Sequence, residues 1–305
     1  MPPRNCHVDQ VPTERRASHR AFFAQLLLIV QLHPEPVSWI MNDPISIVRK
    51  RWFDATPSGK EGVTDRYVVF GESRKWLVEQ LHLRHNGHVL DFGAGHGFLS
   101  FELASRTRSL VTAMDVLGGE QLGDAVRGAQ ASGLSNRISW VVADGQESPF
   151  PEGAFDGVVS FLALQDISMR GGVDALSNVL RELCRVLRHG GVILLADNMF
   201  PECVHDDSQK LYSILQRQEF HAGLPSKSFV DDLLRRSGMI RVREVEYDPR
   251  LRLDEKEAKV ELLDIVEAKP FGKILDFDTL WQRYGDEIRR IGLAYPRILA
   301  ILGRK

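Results

Sequence analysis

From residue 88 onward, short apolar runs alternate with longer amphipathic stretches, and this alternation constrains the fold more strongly than any other feature. The runs HVLDF, LVTAMDV, ISWVVAD, FDGVVSF and GVILLADN are typical of strands. The stretches between them are typical of helices, and in the longest, residues 173–187, apolar side chains recur on one helical face. Strands this apolar, separated by helices, predict a parallel sheet covered on both faces.

The chain beyond residue 200 departs from this alternation. We predict a helix at residues 226–236 and a strand at residues 240–247. Two charged amphipathic helices, at residues 254–269 and 276–291, then precede a last strand in RILAILGRK. The two helices therefore form an addition between the last two strands rather than a part of the sheet.

The composition is that of an ordinary globular chain, with 43% apolar and 26% charged residues. A net charge of −2 does not require a polyanionic partner such as nucleic acid. The cysteines Cys6, Cys184 and Cys203 form no CxxC pair and no Cys/His cluster, so neither a disulfide framework nor a metal site is predicted. A reducing, cytoplasmic location fits this cysteine usage best.

One apolar run lies near the start of the chain, at residues 22–32, shortly after three arginines. It is about half as long as a spanning helix needs to be, and no small-residue cleavage site follows it. A signal or anchor is therefore the weaker alternative, and no stable membrane insertion is expected. We interpret residues 1–40 as an N-terminal extension, either loosely attached or disordered, or as sequence upstream of a start at Met41.

The stretch VLDFGAGHGFLS, at residues 89–100, places a glycine-rich turn between the first strand and the helix that follows. A dinucleotide site requires G-x-G-x-x-G, but Phe98 occupies the third glycine position, and the lysine of a phosphate-binding loop is absent. What remains is the pattern D-x-G-x-G-x-G, formed by Asp91, Gly93, Gly95 and Gly97. With this pattern the chain resembles the class I S-adenosylmethionine-dependent methyltransferases, over residues 87–305.

Three further motifs follow in the order that the resemblance requires. Asp115 ends the second strand, where an acidic residue can accept hydrogen bonds from both ribose hydroxyls. Asp144 follows the third strand, and in the family such an aspartate accepts a hydrogen bond from the adenine amino group. The segment RVLRHGG precedes the fifth strand, with His189 where proline is commoner in the family.

The resemblance implies a doubly wound, Rossmann-like α/β fold with a mostly parallel seven-stranded sheet, an antiparallel last strand and, in this chain, a helical insertion at residues 250–294. The methyltransferase domain would span residues 87–305, and residues 41–86 would form a helical segment over the active site. S-adenosylmethionine is the implied cofactor. The residues implied to bind it are Asp91, Gly93, Ala94, Gly95, Gly97, Asp115, Val116, Asp144, Gly145 and Ser160.

The class of methyl acceptor is inferred from the fourth strand, which ends in SFLALQDI. Enzymes of this class that methylate the exocyclic amines of nucleic acids carry [DN]-P-P-[YF] there, and this chain does not. The residues of these motifs most resemble those of the small-molecule branch, which includes the ubiquinone and menaquinone methyltransferases. We therefore predict SN2 transfer of a methyl group to an O, N or C atom of a small-molecule acceptor. A nucleic-acid or protein methyltransferase and a non-catalytic cofactor-binding subunit remain alternative functions. The sequence does not decide whether the protein forms a homodimer.

A phenolic or enolic acceptor would need a general base to remove its proton. We select Asp166, which follows the fourth strand, and His221 as the candidate catalytic residues. His96 and His205 are weaker candidates, since His96 stands inside the glycine turn, where a spacer role is commoner.

The two added helices carry apolar faces that must be buried, and Trp281 and Tyr284 lie on one of them. The face could pack on the domain, on a partner chain or over the acceptor site. We favour a role in acceptor recognition or dimerisation over a purely structural one.

Overall fold

The computed structural model describes residues 70–83, 87–219, 223–267 and 276–305. The predicted extension at residues 1–40, and most of the predicted segment at residues 41–86, lie outside them. The described helices are α1 (Gly71–Gln80), α2 (Phe98–Thr107), α3 (Gly119–Ala131), α4 (Leu164–Val186), α5 (Asp207–Glu219), α6 (Lys227–Arg236), α7 (Glu255–Glu267) and α8 (Phe277–Ile291). The described strands are β1 (His88–Phe92), β2 (Leu110–Asp115), β3 (Ile138–Val142), β4 (Phe155–Phe161), β5 (Leu187–Asp197), β6 (Ile240–Tyr247), β7 (Arg252–Leu253), β8 (Leu293–Ala294) and β9 (Ile298–Arg304). None of these helices combines the length and the apolar character needed to cross a membrane.

Seven strands form one sheet, in the order β3-β2-β1-β4-β5-β9-β6. Neighbouring strands from β3 to β5 pair in parallel, whereas β9 is antiparallel to both β5 and β6. Helices α2, α3 and α4 follow β1, β2 and β4. They form the long connections that parallel strands need between the end of one strand and the start of the next. The predicted doubly wound fold, with its antiparallel last strand, is therefore confirmed.

The centre of this sheet is buried on both faces. Leu90 of β1, Val158 of β4 and Leu194 of β5 have no exposed surface, and Leu176 and Leu180 of α4 are equally buried. Central strands of a parallel sheet have helices on both faces, and their sequences are therefore nearly continuous apolar runs. This arrangement brings the carboxyl ends of β1 to β5 to one edge of the sheet.

Helix α4 contains the predicted helix at residues 173–187 and begins earlier, at Leu164, with a segment that the apolar periodicity does not predict. Gly172, with φ of 66° and ψ of −162°, interrupts it and separates a short first segment from the longer, core-facing second one. The first segment lines an open cleft, and it therefore lacks the continuous apolar stripe that sequence periodicity detects. Its position places Asp166 and Arg170 at the carboxyl edge of the sheet.

The predicted insertion consists of β7, α7, α8 and β8, and β7 pairs antiparallel with β8 at its base. Leu280, Tyr284 and Ile288 of α8 are buried, and α8 packs against α7 and α5. The Tyr284 hydroxyl donates a hydrogen bond to Glu219 Oε1 of α5 at 2.6 Å. The apolar face of α8 is thus covered by the chain's own domain.

Gly97, the N-cap residue before α2, has φ of 78°, and a methyl group placed on it would overlap the ring of Trp140. We expect Gly97→Ala to lower the free energy of unfolding by about 2–5 kcal/mol, because positive φ costs about 1–2 kcal/mol and overpacking about 1–3 kcal/mol. Urea unfolding would measure this loss. Gly133→Ala is the matched control, since Gly133 has φ of 68° but open space around it. Equal losses in the two variants would contradict the steric part of the argument.

Candidate active site

A cleft of about 620 Å³ opens at the carboxyl ends of β1 to β4. Ligands of open α/β sheets bind in such crevices, outside the strand ends. Most of the predicted site residues line this cleft: Asp91, Gly93, Ala94, Gly95, Asp115, Val116, Asp144, Gly145 and Asp166. The structure therefore brings together residues that are far apart in the sequence.

The glycine turn is held tightly against the neighbouring strand. The backbone N–H groups of Gly93 and Ala94 both donate to the carbonyl oxygen of Met114, at 2.9 and 3.1 Å. Gly93 has φ of 71°, and a side chain on it would overlap Ala163. Glycine is needed there because the turn passes between β2 and the loop after β4.

Both carboxylate oxygens of Asp115 are held by backbone N–H groups. Oδ2 accepts from Gly95 at 2.8 Å and Oδ1 accepts from Leu117 at 2.9 Å. Each oxygen has a further lone pair for a ligand. Asp115 is therefore preorganised to accept two hydrogen bonds from vicinal hydroxyl groups.

Asp144 occupies the equivalent position after β3. Its Oδ1 accepts from the N–H of Gln146 at 2.9 Å, which caps a short 3₁₀ turn at Gly145–Glu147. The side chain is exposed towards the cleft. This turn keeps an acceptor oxygen at the β3 end of the cleft.

Asp91 is a buried carboxylate at the end of β1, with 1% of its surface exposed. Its Oδ2 accepts a hydrogen bond from the Ser100 hydroxyl at 2.6 Å. Burial raises the pKa of Asp91 to about 7, and the nearby Asp115 carboxylate adds to this shift, while the Ser100 hydrogen bond opposes it. A cationic ligand group in the cleft would stabilise the ionised form.

Asp166 lies in the first turn of α4, and its side chain is exposed to the open cleft. The protein that surrounds it raises the pKa of Asp166 to about 6 by desolvation, while Arg170, one turn further along, opposes this shift. A carboxylate with this pKa is largely ionised at pH 7 and can still accept a proton. Asp166 is therefore a carboxylate of the cleft that can take up a proton near neutral pH.

Other predicted residues lie elsewhere. Ser160 is fully buried within β4 and Gly97 is the N-cap residue before α2, and neither lines the cleft. His221 lies outside the described residues. His205 is 3.4 Å from Glu246 and away from the cleft, whereas His96 lines it, and burial lowers the pKa of His96.

The structure adds lining residues that the sequence analysis did not select. Phe70 and Arg74, at the start of α1, both line the cleft, and the Arg74 guanidinium lies 5.0 Å from the centre of the Phe98 ring. Gln121 of α3 and Arg170 of α4 also line it. Their signal in the sequence is weak, because polar residues on amphipathic helices are usually solvent-facing.

Within the described residues, no group of three or more His, Cys, Asp or Glu side chains is arranged to hold a metal ion.

Asp197, at the end of β5, is a second buried carboxylate near the carboxyl edge of the sheet. Burial raises the pKa of Asp197 to about 7, while hydrogen bonds from the N–H groups of Met199 and Gln165 oppose the shift.

The fold and the row of strand-end carboxylates are similar to those of the class I S-adenosylmethionine-dependent methyltransferases, and the predicted resemblance is confirmed. Residues 90–195 match the family described as "Methyltransferase domain".

Two curated relatives illustrate the similarity. The ubiquinone/menaquinone biosynthesis C-methyltransferase of Geotalea daltonii is 28% identical over 144 residues, which are 46% of this chain and 59% of that protein. The demethylmenaquinone methyltransferase of Corynebacterium efficiens is 30% identical over 146 residues, 47% of this chain and 56% of that protein. The similarity thus spans little more than half the length of these relatives.

Solved structures share the fold at low identity. The YcgJ protein of Bacillus subtilis aligns with a TM-score of 0.56 and 20% identity, over 77% of this chain and 98% of that one. The geranyl diphosphate C-methyltransferase of Streptomyces coelicolor A3(2), in complex with Mg²⁺, geranyl diphosphate and S-adenosyl-L-homocysteine, aligns with a TM-score of 0.51 and 13% identity, over 76% and 78% of the two chains. At these identities the likeness concerns the fold alone.

Proposed function

We propose that this protein transfers the methyl group of S-adenosylmethionine to a small-molecule acceptor. The observation that carries the proposal is the row of carboxylates Asp144, Asp115 and Asp91, which lie at the carboxyl ends of β3, β2 and β1 along one cleft. S-adenosylmethionine offers donors in the same order: the adenine amino group, the ribose hydroxyls and the ammonium group. Each donor is matched by a carboxylate oxygen of this chain.

This placement of the cofactor puts the sulfonium methyl group towards β4, the next strand after β1 in the sheet. The acceptor side of the cleft, as we use the term, is lined by Phe70, Phe161, Asp166, Ile167 and Arg170. The acceptor atom attacks the methyl carbon as the carbon–sulfur bond breaks, and sulfur keeps the electron pair in S-adenosylhomocysteine. Alignment and the exclusion of water accelerate this step, and Asp166 removes the acceptor's proton.

A small-molecule acceptor is supported by the relatives, whose names refer to quinone biosynthesis and demethylmenaquinone. The apolar side chains on the acceptor side suit a flat or hydrophobic molecule. Phe70 and Arg74 of the α1 region also line the cleft, which supports the expectation that the segment before residue 87 contributes to the active site.

The test is transfer of a radiolabelled methyl group from S-adenosylmethionine to a panel of acceptors. The panel contains demethylmenaquinol, geranyl diphosphate, cholesterol, a metabolite extract and duplex DNA. We expect label in a small molecule. Label in DNA would favour a nucleic-acid methyltransferase, and binding of S-adenosylhomocysteine without any transfer would indicate a non-catalytic subunit.

The rate should depend on pH through Asp166. The active form of a general base is deprotonated, and the pKa of Asp166 is raised to about 6, so kcat should be low at pH 5 and rise to a plateau above pH 7. A pH profile of kcat at saturating cofactor and acceptor measures this. A profile that falls between pH 5 and pH 7 would contradict the assignment.

A further inference from the structure

A row of aromatic rings leads from the acceptor side of the cleft towards the helical insertion. Phe70 and Phe161, which both line the cleft, meet edge to face with ring centres 6.0 Å apart. On its other side, the Phe70 ring meets Tyr295 edge to face at 5.6 Å. The position of the Phe70 ring is therefore bounded by Tyr295.

Tyr295 lies directly after β8, where the insertion returns to the sheet. Its backbone N–H donates to the carbonyl oxygen of Leu251 at 3.0 Å, and its carbonyl oxygen accepts from Gln209 Nε2 at 3.2 Å. Its ring packs against Tyr212 of α5 with ring centres 4.7 Å apart. Contacts at both the backbone and the ring thus hold Tyr295 in place.

Tyr212 connects this row to the first helix of the insertion. Its hydroxyl donates to Glu261 Oε1 of α7 at 3.2 Å, and Glu261 has no exposed surface. Burying a carboxylate is costly, and one attested reason to retain a buried polar contact is that it fixes a single packing arrangement. The Glu261–Tyr212 hydrogen bond orients the ring that supports Tyr295.

We propose that Tyr295, Tyr212 and Glu261 are positioning residues through which the insertion sets the shape of the acceptor side. They act on the acceptor through Phe70 and Phe161 and do not line the cleft themselves. The backbone contacts that hold Asp115 and Asp144 come from the loops after β1, β2 and β3, so cofactor binding is set independently. This proposal rests on the proposed function, because it assigns that side of the cleft to the acceptor.

The test compares Tyr295→Ala and Tyr212→Phe with Tyr284→Phe as the matched control. Tyr284 also connects the insertion to α5, through Glu219, and it is not part of the aromatic row. With the panel acceptor that the wild type methylates, we expect KM to rise about tenfold in Tyr295→Ala and a few-fold in Tyr212→Phe. In both variants, kcat and the Kd of S-adenosylhomocysteine should stay near wild type, and Tyr284→Phe should change none of these quantities.

A second readout does not depend on turnover. With 4-fluorophenylalanine placed at residue 70 alone or at residue 161 alone, its ¹⁹F resonance should shift in Tyr212→Phe and not in Tyr284→Phe. If the wild type methylates nothing, the proposed function fails while these resonances still test the positioning role. If Tyr295→Ala does not fold, the Tyr212→Phe variant alone tests the proposal. Unchanged Phe70 and Phe161 resonances in Tyr212→Phe, or an equal change in the control, would overturn the proposal.

Discussion

Replacing Asp166 by asparagine is expected to lower kcat by about 10²–10⁴-fold, which is the usual contribution of a general base. Asparagine keeps the size and the hydrogen-bonding capacity of the side chain, but it cannot take up a proton. The Kd of S-adenosylhomocysteine should stay nearly unchanged, because Asp166 lies on the acceptor side. Steady-state kinetics on the methylated acceptor, together with calorimetry, measures both quantities.

Asp174→Asn is the matched control for this change. Asp174 lies on the same helix, beyond the interruption at Gly172, and it is exposed outside the cleft. We expect wild-type kcat in this variant. If Asp166→Asn retains wild-type kcat at every pH, alignment of an already ionised or weakly acidic acceptor is sufficient, and Asp166 is not the base.

Replacing Asp115 by alanine should weaken binding of S-adenosylhomocysteine about 30- to 1,000-fold, which corresponds to about 2–4 kcal/mol. On the proposed function, the variant would lose two charge-assisted hydrogen bonds to the ribose hydroxyls. It also removes the acceptors that hold the N–H groups of Gly95 and Leu117. Isothermal titration calorimetry measures the affinity directly.

Asp276→Ala is the control variant, because it also removes an aspartate whose side chain caps backbone N–H groups. Asp276 begins α8 and accepts from the N–H groups of Asp278 and Thr279, both at 3.2 Å. Its alanine variant should lose about 1 kcal/mol of stability and keep wild-type affinity for the cofactor product. If Asp115→Ala binds S-adenosylhomocysteine as tightly as the wild type, the assignment of Asp115 to the ribose hydroxyls is wrong.

The carboxylates that line one side of the cleft could be predicted because their positions are defined by strand ends. Asp91, Asp115 and Asp144 each follow an apolar run, and the carboxyl ends of parallel strands meet at one edge. Ser160 shows the limit of this argument. It lies one residue before the end of β4, where side chains alternate between faces, and it is buried within the sheet and does not line the cleft.

The acceptor side could be predicted only in part. Asp166 was selected because it follows the fourth strand, but Arg74 and Phe70 come from a helix that precedes the sheet in the sequence. The contact of Phe70 with Phe161 depends on how the start of α1 packs, and no local pattern encodes that packing. The segment of α4 before Gly172 is not predicted for a related reason, since a helical segment that lines an open cleft needs no continuous apolar stripe.

The sequence by itself determined the doubly wound sheet, the glycine turn and the three strand-end carboxylates. These features depend on periodicity and on backbone conformation, which are properties of short segments. Only the tertiary structure decided that the apolar face of α8 packs on α5, and that the insertion reaches the cleft through Tyr212, Tyr295 and Phe70. An apolar face must be buried somewhere, but which surface covers it depends on contacts between residues far apart in the chain.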